Sequence, residues 1–300
     1  MSPKISIIIP ATRQIDSLKR LLDSINKSDF KDLEIIVVND SKNSYQEELK
    51  NYDLTLIDNN VNQGLAFTRN QGAKIAKGEY VLFVDDDNVL NSQTISYLVD
   101  SFASQKNLIA VSPVAYYLSA PEKIWFLGAK MNLTTSKPFF YKKPEKDKMI
   151  GENLFVVENL HNCFMIRKDF GVKAGWFDKE MTMSGTELDL FLRIKEQNPD
   201  CFLAVNLDAK CYHDIPVAKK DFLRNLGFNY PQRAYFFQRN RAIIIAKHAK
   251  LWQKILFITL FYPFFTVSYL AIFLLNKRLD LVSNHLKGTR DGYYYFSKNL

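Results

Sequence analysis

The chain has 300 residues, 47% of them hydrophobic, and three cysteines with no CxxC pair. That is enough apolar matter for a sizeable core, and it excludes global disorder, a disulfide framework and a zinc site of the usual spacing. The net charge of +8 is uneven: residues 219–300 carry 14 Lys or Arg against Asp221, Asp280 and Asp291, so the preceding part is net acidic, and a basic appendage that meets nucleic acid or anionic lipid is expected.

In chain order, 5–9 is a β-branched run that predicts a strand stopped by Pro10, and 15–26 places Leu18, Leu21, Leu22 and Ile25 at helical spacing. A second buried strand is expected over 33–38, ending in Asn39-Asp40-Ser41, then a polar helix and a third strand over 54–58. The Asn-rich loop 59–64 leads into a helix over 65–77 that Gly78 caps. Residues 80–84 have the unbroken apolar pattern of a strand covered on both faces of a parallel sheet. Strands and helices alternate with short connections up to this point, which predicts a parallel α/β sheet with right-handed crossovers. A helix over 91–105 and a strand over 108–113 follow. Residues 114–155 are less regular and read as an inserted, substrate-facing region. Further strands are expected over 160–167, 202–207 and 209–213, with a turn at Gly175-Trp176-Phe177-Asp178 and an amphipathic helix over 187–197.

The chemistry concentrates where strand 80–84 runs into Asp85-Asp86-Asp87. Adjacent carboxylates repel one another unless a cation or hydrogen-bond donors share the charge, and the carboxyl end of a strand is where ligands bind in open α/β sheets. Other polar clusters fall at strand ends, at 11–14, at 39–41 and at Gln63-Gly64 with Arg69-Asn70. Neither GxGxxG after the first strand nor GxxxxGK[ST] occurs. The favoured reading is therefore Mg2+ or Mn2+ held by hard carboxylate oxygens and bridging a diphosphate. The plainer alternative is an acidic turn capping the next helix.

Taken in order, several motifs resemble family 2 glycosyltransferases of the GT-A fold, over about residues 4 to 215. They are the strand ending in Pro10, Val37-Val38-Asn39-Asp40-Ser41, Asn62-Gln63-Gly64, Arg69-Asn70-Gln71-Gly72, Gly78-Glu79-Tyr80, Asp85-Asp86-Asp87, Gly175-Trp176-Phe177-Asp178, Thr186-Glu187-Leu188-Asp189-Leu190 and His213. The resemblance implies an α/β, Rossmann-like, mostly parallel sheet flanked by helices over residues 1–218. A nucleotide-sugar half would cover about 1–113 and an acceptor half about 114–218. It further implies metal-dependent, inverting transfer of a sugar from a UDP- or dTDP-type nucleotide-diphospho-sugar to a hydroxyl acceptor. Pro10, Ala11, Thr12, Arg13 and Asp40 would hold the nucleobase and ribose. Gly64, Arg69 and Asn70 would line the nucleotide side of the crevice, and Asp85 and Asp86 would face the ribose and the donor. Asp87 would ligate the metal, His213 would be a second metal or diphosphate ligand with Asp214 orienting its ring, and Trp176 would stack on the acceptor. The chain departs from the pattern at the catalytic base, where such enzymes carry Glu-Asp-x-Asp. Glu187 stands at the base position and Asp189 two residues on, and helix neighbours two apart do not face the same way. Glu187 is favoured, with Asp189 the alternative. Two other classes compete: a nucleotidyltransferase making nucleotide sugars, whose Gly-rich, basic first loop Ala11-Thr12-Arg13-Gln14 lacks, and a non-catalytic, membrane-tethered glycan-binding protein.

Residues 255–275 carry no charge and are long enough to span a bilayer, with Lys247, Lys250 and Lys254 before them and Lys277 and Arg278 after. Pro263 also permits a kinked or re-entrant element, and 235–247 is basic and amphipathic like a membrane-surface helix. A buried core helix pair is the plainer alternative. Met1-Ser2-Pro3-Lys4 leads directly into a strand, without the pattern of a signal peptide. The expectation is a cytoplasmic catalytic domain and a helical 219–300 attached to the membrane, single-pass or monotopic. Membrane lipid and a lipid-linked or membrane-proximal glycan would be partners, and nucleic acid would not.

Overall fold

The computed structural model describes residues 3–12, 15–217, 223, 228 and 230–299, and Arg13, expected at the nucleobase, lies outside them. The chain divides into two compact units, one of residues 1–130, 140–179 and 190–217, the other of 131–139, 180–189 and 218–300.

The first unit is built on strands β1 (Ile5–Ala11), β2 (Leu33–Asn39), β3 (Thr55–Asp58), β4 (Tyr80–Val84), β5 (Asn88–Leu90), β6 (Leu108–Tyr117) and β7 (Ala120–Phe126). The separate β8 (Ala129–Asn132) and β9 (Lys137–Phe140), which run into the second unit, are followed in the first by β10 (Met149–Ile150), β11 (Leu154–Val157), β12 (Cys163–Arg167) and β13 (Phe202–His213). The main sheet runs β10-β11-β13-β6-β12-β4-β1-β2-β3, with β5 on β13 and β7 on β6. Strands β3, β2, β1 and β4 are parallel neighbours. Past β4 the sheet becomes mixed, because β12 enters antiparallel to both β4 and β6.

Alternation along β1 shows why the apolar runs are continuous. Ile7 and Ile9 pack with Leu18 and Leu22 of helix α1 (Ile15–Asn26) on one face. Ile8 joins Ala66 and Ala73 of α3 (Leu65–Ile75) on the other, after the short α2 (Gln46–Leu49). At Gly72 a Cβ would lie 2.5 Å from Ile8 Cγ2, so α3 sits closer to the sheet than any side chain there allows. The strand does not stop at Pro10. Its neighbour Ala11 turns its carbonyl to Asp40 N–H beyond β2, so Pro10 faces the β4 side, where the ladder ends at Ile8 opposite Phe83. The missing N–H is therefore unneeded.

Three further differences from expectation have local causes. Helix α4 starts at Thr94 and ends at Ser104, because Asn88–Leu90 is a strand. The two strands expected at 202–207 and 209–213 are one, broken in register between Asn206 and Lys210, where Asn206 Oδ1 accepts from the N–H groups of Asp208 and Ala209. Residues 114–155 are largely strand, hidden in the sequence by register shifts between β6 and β7 and by the exposed outer face of β7. Helix α5 (Lys168–Ala174) and the part of α6 (Thr186–Gln197) from residue 190 on complete the α/β layers of the first unit.

The second unit contains α7 (Pro231–His248), α8 (Leu251–Leu256), a π-helical turn Phe257–Phe261, α9 (Tyr262–Leu275) and α10 (Leu279–Lys298). The π turn precedes Pro263, which cannot donate to an α-helical ladder, and wide turns of this kind absorb such a break. Tyr262 is fully buried, its hydroxyl 3.2 to 3.3 Å from the carbonyls of Gln238, Gly288 and Thr289. A Cβ at Gly292 would meet that hydroxyl at 2.0 Å, so the polar contact depends on glycine in α10.

Candidate active site

In the first unit, the ends of β1, β2 and β4 bring together the acids singled out in the sequence. Asp40 is fully buried. Its Oδ1 accepts from Asn59 Nδ2 and Gln63 N–H at 2.9 Å, and its Oδ2 from Gly64 N–H at 2.9 Å. Gly64 has φ +91°, a conformation in which glycine is favoured. Asp40 thus ties β2 to the loop before α3, and a nucleobase N–H would share acceptors already used by that loop.

Each member of the acid turn meets a different donor. Arg69, fully buried on α3, places Nη2 2.8 Å from Asp85 Oδ1, with its guanidinium 5.2 Å over the Phe177 ring. Asp86 Oδ2 accepts from Thr12 N–H at 2.9 Å, which ties it to the end of the strand carrying Pro10 and Ala11. Asp87 Oδ2 lies 3.0 Å from His213 Nε2. Separate partners relieve the repulsion that three adjacent carboxylates would otherwise feel. The turn itself is held by two residues that the sequence did not flag. Asn88 and Asn162, both fully buried, exchange side-chain hydrogen bonds at 2.6 and 3.2 Å, and Asn88 Nδ2 also donates to the Asp85 carbonyl at 3.0 Å. Asn162 has φ +71°, and two side chains 74 residues apart do not announce each other in sequence.

Strand pairing explains how His213 reaches Asp87 from 126 residues away. β5 leaves the acid turn and pairs antiparallel with the end of β13, setting His213 opposite Asn88, and Asp214 N–H donates to the Asp87 carbonyl at 2.8 Å. Trp125 of β7, in the segment 114–155 expected to face substrate, lies edge-on to the imidazole, centroids 4.2 Å apart. The carboxylate of Asp214 does not orient that ring; it pairs with Arg20 of α1. His213 Nδ1 is buried and has no hydrogen-bond partner among the described residues. Beneath the turn, the Cys163 thiol is pushed well up, first by its contact with Cys211, then by burial and the Asp85 charge, so it is not a nucleophile here.

A carboxylate oxygen and an imidazole nitrogen 3.0 Å apart suit a cation such as Mn2+. No group of three or more His, Cys, Asp or Glu that could hold a metal occurs among the described residues. Asp87 and His213 would give two ligands to such a cation, with further positions open to phosphate oxygens and water, as in Mg2+-type sites of phosphate-handling proteins.

Other expected site residues have packing duties. Asn70 clamps the turn after α5, its Nδ2 on the Phe177 carbonyl at 2.8 Å and its Oδ1 on the Phe177 N–H at 3.0 Å. Trp176 is half-buried with φ +58°, its ring edge-on to Phe83 and so close over Gly171 that a Cβ there would lie 2.1 Å away. This is a wedge between α5 and the sheet.

The segment 180–189 belongs to the second unit and is carried by α7. Asn240 Nδ2 donates to the carbonyls of Thr182 at 2.9 Å and Ser184 at 2.8 Å, and Arg239 donates to the Glu180 carbonyl. Within it the two candidate bases differ. Asp189 is fully buried, with Lys247 Nζ at 2.5 Å and His248 Nε2 at 3.0 Å. Glu187 is 4% exposed, and its Oε2 accepts from Thr186 Oγ1 at 2.7 Å.

Residues 6–170 match the Glycosyl transferase family 2 model. Over 104 residues the chain is 36% identical to the GalNAc(5)-diNAcBac-PP-undecaprenol beta-1,3-glucosyltransferase of Campylobacter jejuni, covering 32% of this chain and 34% of that one. It is similar in fold to S. aureus TarS 1–349 in complex with UDP-GlcNAc, with TM-score 0.58, 16% identity and 99% and 89% of the two chains covered. It is also similar to GalNAc-T7 with UDP, GalNAc and Mn2+, with TM-score 0.62, 13% identity and 85% and 54% covered. Alignments with the first curated relatives span 27 to 66% of their lengths.

Proposed function

The chain belongs to glycosyl transferase family 2, and on that premise we propose that it moves a sugar with inversion from a UDP-type nucleotide-diphospho-sugar to a hydroxyl acceptor. The observation that carries this is the Asp87–His213 pair at the end of the three-acid turn, built where an open α/β sheet binds ligands. UDP, UDP-GlcNAc and Mn2+ in the fold relatives support the donor class and the cation.

Asp87 and His213 would hold Mn2+ or Mg2+, which when bound supplies positive charge beside the departing diphosphate. Asp85, fixed by Arg69, and Asp86, fixed by Thr12 N–H, would face the ribose and donor. Glu187 takes the acceptor hydroxyl proton while that oxygen attacks the anomeric carbon, and the nucleoside diphosphate leaves from the opposite face. Glu187 is assigned on its position in Thr186-Glu187-Leu188-Asp189, supported by the engagement of Asp189 with Lys247 and His248. The lipid-linked acceptor named for the Campylobacter relative supports a membrane-proximal acceptor. The apolar helical stretch Leu251–Leu275 supports membrane attachment of the C-terminal region.

The test is thermal shift across nucleotide sugars with and without Mn2+, followed by a nucleotide-release assay. Metal-dependent stabilisation by one UDP-sugar is expected, and Asp87→Asn or His213→Ala should abolish the metal dependence while leaving the circular dichroism spectrum unchanged. Stabilisation by no nucleotide sugar would overturn the reading.

A further inference from the structure

Among the described residues one helical stretch, Leu251–Leu275, is long and apolar enough to cross a membrane. Length alone does not separate a helix that crosses from one that lies in the surface, but the two faces of this one do. Leu260, Phe264, Val267 and Leu274 are 54 to 66% exposed. With exposed Ala271 they recur at steps of four, three, four and three residues, the period of a single helical stripe. The opposite stripe is packed and partly polar. Tyr262 and Phe273 are fully buried, and Thr266 Oγ1 accepts from Gln238 Nε2 at 2.9 Å. The Thr266 carbonyl lies 3.2 Å from His285 Nε2, and the Arg241 guanidinium stacks 4.1 Å over the Phe265 ring. A helix crossing the bilayer would draw α7 with Arg233, Arg239 and Arg241, and α10 with Lys287, Arg290 and Asp291, into hydrocarbon, where such charges are strongly disfavoured.

We infer that the stripe Leu260–Phe264–Val267–Ala271–Leu274 beds in the plane of one leaflet of an anionic bilayer and does not cross it. This rests on the membrane attachment proposed above and adds its geometry and lipid preference. Charge at both ends fits anionic headgroups: Lys250 and Lys254 precede the stripe, and exposed Lys277 follows it. Trp252 and Tyr294, 58 and 61% exposed, have the amphipathic rings that settle at the headgroup level, and Lys298 Nζ sits 4.3 Å over the Tyr294 ring.

The test uses the full chain. Flotation with phosphatidylcholine vesicles containing phosphatidylglycerol is expected to carry the protein up, with binding roughly tenfold or more weaker to phosphatidylcholine alone, since each surface lysine contributes about a factor of five on an anionic leaflet. Phe264→Asp with Val267→Asp should abolish flotation without changing circular dichroism. Depth is read from Phe264→Trp and Leu274→Trp, each compared with the unmodified chain, using lipids brominated near the carbonyls or near the chain ends. Equal, shallow quenching at both positions is expected. Deep quenching at 264 with shallow quenching at 274 means that the helix crosses, which overturns the in-plane geometry but leaves membrane attachment standing. Absence of flotation overturns attachment itself. Equal binding to both vesicle types overturns the lipid preference. A dimer in vesicle-free buffer that the Asp pair dissolves, with no lipid binding, assigns the stripe to a second copy of the chain and overturns the proposal.

Discussion

Asp189 and Glu187 sit two residues apart on one helical turn, and their surroundings give them opposite sensitivities. Removing Asp189 leaves the Lys247 ammonium, itself only 20% exposed, without its carboxylate at 2.5 Å. Breaking a buried pair from one side costs about 3 kcal/mol or more. Asp189→Ala should therefore lower the urea midpoint by a corresponding amount, and unchanged stability would show that the pair is not formed. Glu187→Gln keeps an acceptor for Thr186 Oγ1, so stability should fall by less than about 1 kcal/mol. Turnover should drop about 10²- to 10⁴-fold, the usual worth of a general base. Full activity in that variant, measured as nucleotide release, would remove Glu187 from the chemistry. These positions were legible as acids in a motif, but the partners that separate them, Lys247 and His248, lie about sixty residues on and carry no local signal. Asn70 and Trp176 were legible as special residues, whereas their packing use is not written in their own neighbourhoods: it depends on Phe177 and Gly171.

At the level of elements, the acid turn depends on β5 and on the bend just before β12 as much as on β4. Asn88 and Asn162 close it from the two sides, and truncating either leaves a buried amide unpaired, which costs about 1 to 3 kcal/mol. Asn162→Ala should destabilise the first unit by that amount and weaken nucleotide binding together with it. Loss of binding at unchanged stability would show that Asn162 touches ligand instead. The parallel strands β1 to β4 were readable because buried strands have unbroken apolar runs. The bulged β13 was not, since the shift at Asn206 breaks the period on which such a reading relies. In the second unit, α10 carries a pH-sensitive contact. Burial pushes the His285 imidazole down to about 4, opposed by its bond to the Thr266 carbonyl and aided by the Arg241 charge. Between that value and the ordinary one near 6.5 the unfolded chain binds the extra proton, so stability rises with pH across this window and is complete above it. Chemical unfolding followed from pH 7 to 4 should show a loss of up to about 3 kcal/mol, and His285→Gln should flatten that dependence.

Over the whole molecule, charge and hydropathy divide the labour. The net-acidic first part holds the strand ends where a nucleotide would bind, and the basic remainder carries the apolar stripe and the helix α7 that supports segment 180–189. The composition step near residue 218 was visible in the sequence. The membership of 131–139 and 180–189 in the second unit was not, because those short excursions are defined by tertiary contacts alone. At the end of the three-acid turn, with His213, we propose a site where a nucleoside diphosphate is held through a divalent cation. Calorimetric titration of UDP into the full chain with Mn2+ and with chelator, beside the Asp87→Asn variant, decides whether this site is used. Saturable binding that requires Mn2+ and disappears in the variant is expected; binding that is equal with chelator, or unchanged in Asp87→Asn, would show that Asp87 holds no cation for the diphosphate.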